Sequence, residues 1–250
     1  MEKNPTPFPT EDVKLPSKGF LYPKDSPLNK GVIEMKYMTA KEEDILTNSN
    51  YIEDGTVLDK LLESLIITPI DYNILLNGDK NALLLAARIL GYGSDYTFDF
   101  RGEKIHINLS DVEDKEMDKS LIVEEGLNEF DFTLPTTKET ITFKLLTHGD
   151  ETSIEKEIKG LKKINKEASN SGSTRLKHII IAIDGDRDKK KIREFVDNRF
   201  LAKDAREFRK YIEKIQPTVD LTFDHEDRRG NIEKINIPVG IKFFWPDATI

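Results

Sequence analysis

The stretch IREFVDNRFLAKDAREFRKYIEKIQPTVDLTF, residues 192–223, decides the reading of the fold. Leu201, Ala205, Phe208, Ile212 and Ile215 recur at alternating spacings of four and three, which a helix gathers into one apolar stripe. Such a stripe must be buried. Arg206, Arg209, Lys210, Glu213 and Lys214 fall on the other faces, with Arg209 and Glu213 one turn apart. Pro217 cannot continue the helix and biases Gln216 toward extended backbone. Beyond it, Val219, Leu221 and Phe223 alternate with Asp220, Thr222 and Asp224, the period of a strand with one buried face. A helix feeding a strand is therefore expected at the centre of this half.

Downstream, that strand is expected to pair with the segment carrying Ile232, Ile235 and Ile237. Upstream, Asp184-Gly185 turns the chain after a helix that Thr174 caps and that is expected to run through Ile183. The polar run 168–173 reads as a loop. Thr152 and Glu155 are spaced as a capping box opening a helix that carries Ile154, Ile158 and Leu161. Phe130, Phe132 and Leu134 alternate, as do Ile141, Phe143 and Leu145 after the turn 135–139, which predicts a hairpin. A second hairpin is expected where Tyr96, Phe98 and Phe100 meet Ile105, Ile107 and Leu109 across the turn 101–104.

The first third reads as helical. A short strand over 31–38 gives way at Thr39, where Thr-Ala-Lys-Glu forms a capping box with Glu42. Further helices are expected over 56–67, ended by Pro69, and over 80–90, closed by Gly91 and Gly93. Residues 1–30 hold Pro5, Pro7, Pro9, Pro16, Pro23 and Pro27, a density that suits an extended arm. Phe8, Leu15, Phe20, Leu21 and Tyr22 either pack that arm on its own domain or dock it on a partner. The fold class is α+β, helical segments with short antiparallel hairpins in two lobes. The divisions are an arm over 1–30, a lobe over 31–120 and a second over 121–250 ending in a hairpin and aromatic tail.

Composition narrows the function. The chain has 250 residues, 37% hydrophobic and 34% charged, enough to bury a core and too apolar for general disorder. A net charge of −8 argues against a protein that coats nucleic acid. There is no cysteine, so disulfides and thiolate chemistry are excluded. No signal-peptide pattern and no run of eighteen apolar residues occurs, so the expectation is a soluble protein of a cytoplasm, with no membrane partner.

Few residues suggest chemistry. Asp184, Asp186 and Asp188 are spaced like the start of a calcium loop, but Lys189 stands where glycine is needed and Phe195 where a bidentate glutamate is needed. A turn with Asp186 or Asp188 at the next N-cap is the alternative. His106, His148, His178 and His225 have no ligand spacing, and no nucleophile elbow or phosphate loop is present. The expectation is no catalytic residue, no metal and no cofactor. Lys189, Lys190 and Lys191 with Arg187 and Arg193 form either a solvated helix face or a surface for an acidic partner. Phe243, Phe244 and Trp245 either close the last hairpin's core or anchor another subunit.

Six segments in order, LPSKGFLYP (15–23), TAKEE (39–43), LLTHGDE (145–151), IDGD (183–186), DAREFRKYI (204–212) and IPVGIKFFWP (237–246), resemble the baseplate hub proteins of T-even-type contractile-tailed bacteriophages. The resemblance spans nearly the whole chain. It implies a late phage protein of tail assembly, a hub subunit or a chaperone of hub formation, in the host cytoplasm or the finished baseplate. Its partners would be other hub and tail proteins. Phe20, Tyr22, Phe243, Phe244 and Trp245 would supply apolar burial, and charged helix faces including Arg206 and Arg209 would set orientation. Some similar proteins carry cysteine pairs in hairpin turns, consistent with zinc knuckles; the matching turns here, 101–104 and 224–230, hold none. Two other classes stay open: a cell-wall hydrolase, which needs paired carboxylates in one cleft, and a nucleic-acid-binding regulator using residues 187–193 and the lysine face of 156–166.

Overall fold

Phe208 is fully buried, with Ala205 and Ile215 beside it on the same face, so the stripe read over residues 205–215 faces the core. The structure is a computed structural model and describes residues 8–164, 171–226 and 230–244. In chain order the elements are β1 (Thr10–Lys14), β2 (Val32–Lys36), α1 (Ala40–Leu46), α2 (Ser49–Asp54), α3 (Val57–Leu65), α4 (Asn77–Tyr92), β3 (Asp95–Phe100) and β4 (Glu103–Asn108). Then come β5 (Asp114–Lys115), β6 (Phe130–Thr133), β7 (Thr140–Phe143), α5 (His148–Ile164), α6 (Ser171–Ile179), β8 (Ile180–Ile183), α7 (Lys189–Asn198) and α8 (Ala202–Ile215). The last are β9 (Thr218–Val219), β10 (Thr222–Glu226), β11 (Ile232–Asn236) and α9 (Ile241–Phe244). This is an α+β mixture of helices and short antiparallel pairs, as the patterning predicts.

Residues 10–30 are built into the fold. β1 pairs antiparallel with β2 over five residues, Thr10 opposite Lys36 through Lys14 opposite Val32. Leu15, Leu21 and Tyr22 are buried and Phe20 packs against the same core, so of the two readings of these side chains the structure takes the one in which they cover their own domain. A buried carboxylate explains the LPSKGFLYP segment. Asp79, in the first turn of α4, accepts from the Ser17 amide at 2.9 Å, the Ser17 hydroxyl at 2.6 Å and the Tyr22 hydroxyl at 2.6 Å. Tyr22 in turn accepts from the Leu76 amide at 2.9 Å. Ser17, Tyr22 and Asp79 are all at most 2% exposed, so this network lies within the core.

Glu42 organises the other side of the helical third. It closes the capping box on the Thr39 amide at 2.9 Å, and also meets Lys36 Nζ and Ser64 Oγ, each at 2.7 Å. Burial opposes its charge, but the donors from Lys36, Thr39 and Ser64 prevail and hold its pKa at about 2 against 4.5. A depressed carboxylate contributes fully above its unfolded value and loses that contribution as pH falls through the folded one. Glu42→Gln should therefore cost about 2 kcal/mol at neutral pH, because it leaves Lys36 without its counter-charge. Urea midpoints of the two proteins should converge as pH drops from 4.5 toward about 2. Curves that stay parallel across that window would refute the assignment.

The three-stranded sheet runs β6-β7-β8. Its third strand corrects the expectation of a helix through Ile183: α6 stops at Ile179, and Ile180–Ile183 pairs with β7, Ile141 opposite Ile183. A short run of isoleucines suits either element, and the open edge of β7 makes it a strand. α8 lies on this sheet through Phe208, whose ring centre is 4.9 Å from Phe143 and 5.6 Å from Phe132. Asp204, fully buried in the first turn of α8, accepts from the Thr136 amide at 2.8 Å and the Thr137 amide at 3.3 Å, so it caps the 135–139 turn. Burial works against its charge, yet these bonds hold its carboxyl below the ordinary range.

Three further expectations change. Leu201 is the N-cap of α8 and 45% exposed, outside the stripe. The capping box of α5 is Thr147 with Asp150, which exchange bonds of 3.1 and 3.3 Å, one turn before Thr152. The strand after Pro217 divides: β9 pairs with β5, Val219 opposite Asp114, and β10 pairs with β11, Phe223 opposite Ile235. Of the expected loop 168–173, residues 168–170 lie outside the described residues and Ser171 opens α6.

The core is continuous from Leu15 to Phe244 and includes residues on both sides of position 120. α4 is its axis. A Cβ on Gly78 would stand 1.7 Å from the Pro217 carbonyl oxygen, so only glycine allows α4 and the chain before β9 to approach this closely. At the other end of α4, Arg88 donates to the carbonyls of Phe243 at 2.8 Å, Gly93 at 2.7 Å and Asp95 at 3.1 Å. Among the described residues, no helix is long and apolar enough to cross a membrane.

Candidate interaction groove

Pro217 stops α8 and sends the chain through β9 into β10, so these consecutive elements, joined by β5 from far upstream, border one depression. β9 pairs with β5, and the Asp220 amide donates to the Glu113 carbonyl at 2.8 Å, which extends the two-residue ladder. α8 forms one wall with Arg209, Ile212 and Glu213; β10 and β11 supply Thr222 and Lys234. This open groove has a volume of about 920 Å³ and continues into a second of about 480 Å³ beside His106 and Phe223, the two sharing Glu113, Asp220, Thr222 and Lys234. Val219, Leu221 and Ile212 give it an apolar strip, and charged groups rim it.

The rim is dominated by carboxylates. Glu113, Asp114, Glu213 and Asp220 line the larger part, and Asp111 and Asp224 the smaller. Lys234 Nζ lies 3.7 Å from Asp220, and Lys115 reaches the Glu213 carbonyl. Burial pushes the Asp114 carboxyl above its ordinary pKa, and the neighbouring Glu116 adds to the shift. The groove is thus concave, apolar along its floor and negative along its edge.

The seven residues expected to meet partners separate here. Arg206 and Arg209 are exposed on α8, and Arg209 borders the groove. Phe20 is partly buried, its carbonyl held by the Gly126 amide at 2.7 Å and its ring 5.1 Å from Lys119 Nζ. Tyr22, at 2%, and Phe243 and Phe244, at 0%, offer no surface, which corrects their assignment as anchors. Phe243 instead sets its ring 5.0 Å from Tyr96 and 5.4 Å from Phe244, so α9 plugs the end of α4. Trp245 lies outside the described residues.

A second cluster escaped the sequence reading because its members come from four places. Asp59 of α3 accepts from the Tyr72 hydroxyl at 2.9 Å and pairs with Lys80 of α4; His148, at the start of α5, lies 3.6 Å from Asp59 and 3.5 Å from Lys80. Burial lowers the His148 pKa, Asp59 opposes that shift and Lys80 adds to it. Only His148 had a sequence signal, its place in LLTHGDE. The cluster ties together α3, α4 and α5 at the edge of a groove of about 690 Å³. The aspartates of 184–188 have structural roles: Asp184 and Gly185 make the turn with φ of 47° and 82°, the Asp186 side chain accepts from the Asp188 amide at 2.9 Å, and Asp188 caps α7 by accepting from the Lys190 amide at 2.8 Å. Among the described residues, no group of three or more acidic or histidine side chains could hold a metal ion.

Comparison with protein-family models, with curated proteins and with solved structures found no match.

Proposed function

We propose that this chain is a component of contractile phage tail assembly, a baseplate hub subunit or a chaperone of hub formation, and that it acts by binding other tail proteins. The observation that carries this reading is the groove beneath α8, an apolar strip with a charged rim and Arg209 at its border. The ordered segments that prompted the resemblance support it, since several sit at structural joints: Ser17 and Tyr22 on Asp79, Glu42 in its box, Asp204 on the 135–139 turn. A negatively rimmed groove suits a partner segment carrying lysine or arginine between apolar residues.

The test is co-purification of the tagged chain from infected cells, with the wild type and Arg209→Glu compared. The variant replaces a positive by a negative charge at the border of a groove that takes a cationic segment, so it should raise tail-protein capture about fivefold or more while leaving the melting temperature within about 2 °C. Equal capture by both proteins would remove the groove from the reading. Absence of any tail protein from the wild-type eluate would remove the reading itself.

The carboxylates of the groove favour a second reading, hydrolysis of cell-wall glycan. Asp114, exposed on β5 with its carboxyl held above the ordinary range by partial desolvation and by Glu116, lines the groove together with Glu113 and Asp220, the residue types such hydrolysis needs. Peptidoglycan cleavage that disappears in Asp114→Asn would establish it, and no cleavage by the wild type would end it.

A further inference from the structure

The basic run 187–193 is a solvent-exposed face, and its Arg187, Lys189 and Arg193 also border a concave side. It folds against α5 and α6 around a cavity of about 370 Å³. Lys144, Lys177, Arg187, Lys189 and Arg193 line that cavity together with His178, and among the described residues Asp150 is its one lining carboxylate. In a chain of net charge −8 this is a local reversal of sign.

The arrangement of the carboxylates strengthens the point. Arg187 takes both oxygens of Glu129, at 2.9 and 2.6 Å, and Arg193 both oxygens of Glu157, at 2.9 and 3.2 Å. His178 meets the same Glu157 at 2.9 Å, Lys177 pairs with Asp197 at 2.6 Å, and Lys144 with Asp150 at 2.6 Å. Glu129, Glu157 and Asp197 do not line the cavity. Each of them pairs with a lining cation without itself lining the cavity. Five permanent cations thus face four carboxylates, of which one shares the cavity.

α7 begins at this cavity with Lys189 as its first residue, and Asp188 already caps that end, so the positive character of the rim rests on the side chains. Ile180 and Ile192 form an apolar floor. Cations approaching from β7, α6 and α7 suit a compact group with several charged oxygens, because each side can satisfy a different oxygen. The volume is that of a small-molecule site.

We propose that the cavity between α5, α6 and α7 binds a small phosphate-bearing anion. The site is separate from the groove beneath α8 and does not depend on the tail-assembly reading.

Calorimetric titration of the full chain at low salt with pyrophosphate, ATP and a short single-stranded oligonucleotide tests this. Pyrophosphate should bind one to one with a Kd of about 0.1–1 mM. Lys189→Glu should weaken it about tenfold, since one attraction becomes a repulsion, and a glutamate at the first position of α7 remains compatible with the helix. Lys210→Glu, on the exposed face of α8, should leave the Kd within about twofold. Amide shifts in the wild type should centre on Ile180 and Ile192, a readout that needs no variant. ATP binding like pyrophosphate places the recognition in the phosphates and supports the proposal. No saturation by ~10 mM overturns it. Equal weakening by both variants overturns it as well, because the attraction is then a general field effect. Tighter binding of the oligonucleotide, with shifts spreading along Lys156, Lys159 and Lys163, overturns it in favour of a nucleic-acid surface.

Discussion

Asp79→Ala should lower folding stability by about 3 kcal/mol, because the Ser17 amide, the Ser17 hydroxyl and the Tyr22 hydroxyl all lose their acceptor inside the core. For a chain of this size that corresponds to a melting temperature lower by about 6–12 °C. Asp79→Asn should cost far less, about 1 kcal/mol. Burial raises the Asp79 pKa despite its three donors, so removing the charge relieves part of the penalty while the amide keeps an acceptor for Ser17. The pH dependence has the opposite sign to that of Glu42. A carboxyl with a raised folded pKa contributes most below its unfolded value of 3.8 and loses that contribution as pH rises through the folded one. Wild type should therefore show a decline above pH 3.8 that Asp79→Asn lacks, read from urea midpoints. If Asn proves as damaging as Ala at neutral pH, the ionised carboxylate is required and burial does not dominate.

Phe208→Ala is the second large effect, about 4 kcal/mol. Phe208 is fully buried, and its ring meets Phe132, Phe143 and Phe200 at 5.6, 4.9 and 6.1 Å. Truncation removes the centre of an aromatic cluster that joins α8 to the three-stranded sheet, and these neighbours are too stiff to collapse into the space. Phe208→Leu should cost about half as much, since most of the volume stays. Guanidinium unfolding measures both, and the near-UV circular dichroism of Phe208→Ala should lose amplitude before unfolding. A cost below about 1 kcal/mol would mean that the sheet and α8 are held by something other than this contact.

Local patterns carried the elements whose stability is local. The stripe of α8, the capping box at Thr39, the β3–β4 and β6–β7 hairpins and the Asp188 cap follow from periodicity, side-chain reach and turn chemistry within a few residues. What escaped was decided from a distance. The β5–β9 ladder is two residues long and links Asp114 to Val219, and nothing in the acidic run 111–119 announces it. β8 resembles a helix tail until β7 offers an edge. The arm reads as extended because of its prolines, but Asp79, 62 residues from Ser17, determines where it lies.

The site shows the same division. Arg206 and Arg209 could be placed on an exposed helix face from the pattern alone, whereas aromatic density in residues 243–245 could not distinguish a plug from an anchor. That decision rests with Arg88, whose side chain holds the Phe243 carbonyl across 155 positions. The groove, the Asp59–Lys80–His148 cluster and the cavity between α5, α6 and α7 each assemble residues from separate elements, so no single motif signals them.

The dependence of α4 on both later contacts has a consequence for synthesis. Residues 77–92 leave the ribosome long before Pro217 closes on Gly78 and before Phe243 reaches Arg88. Throughout that interval the nascent chain carries an apolar flank with nothing to cover it, a target for holdase capture and for premature association with neighbouring chains. Closure then arrives late, first at Pro217 and then at Phe243, so a slow translation stop within residues 120–200 should be more harmful to yield than the same stop before residue 77.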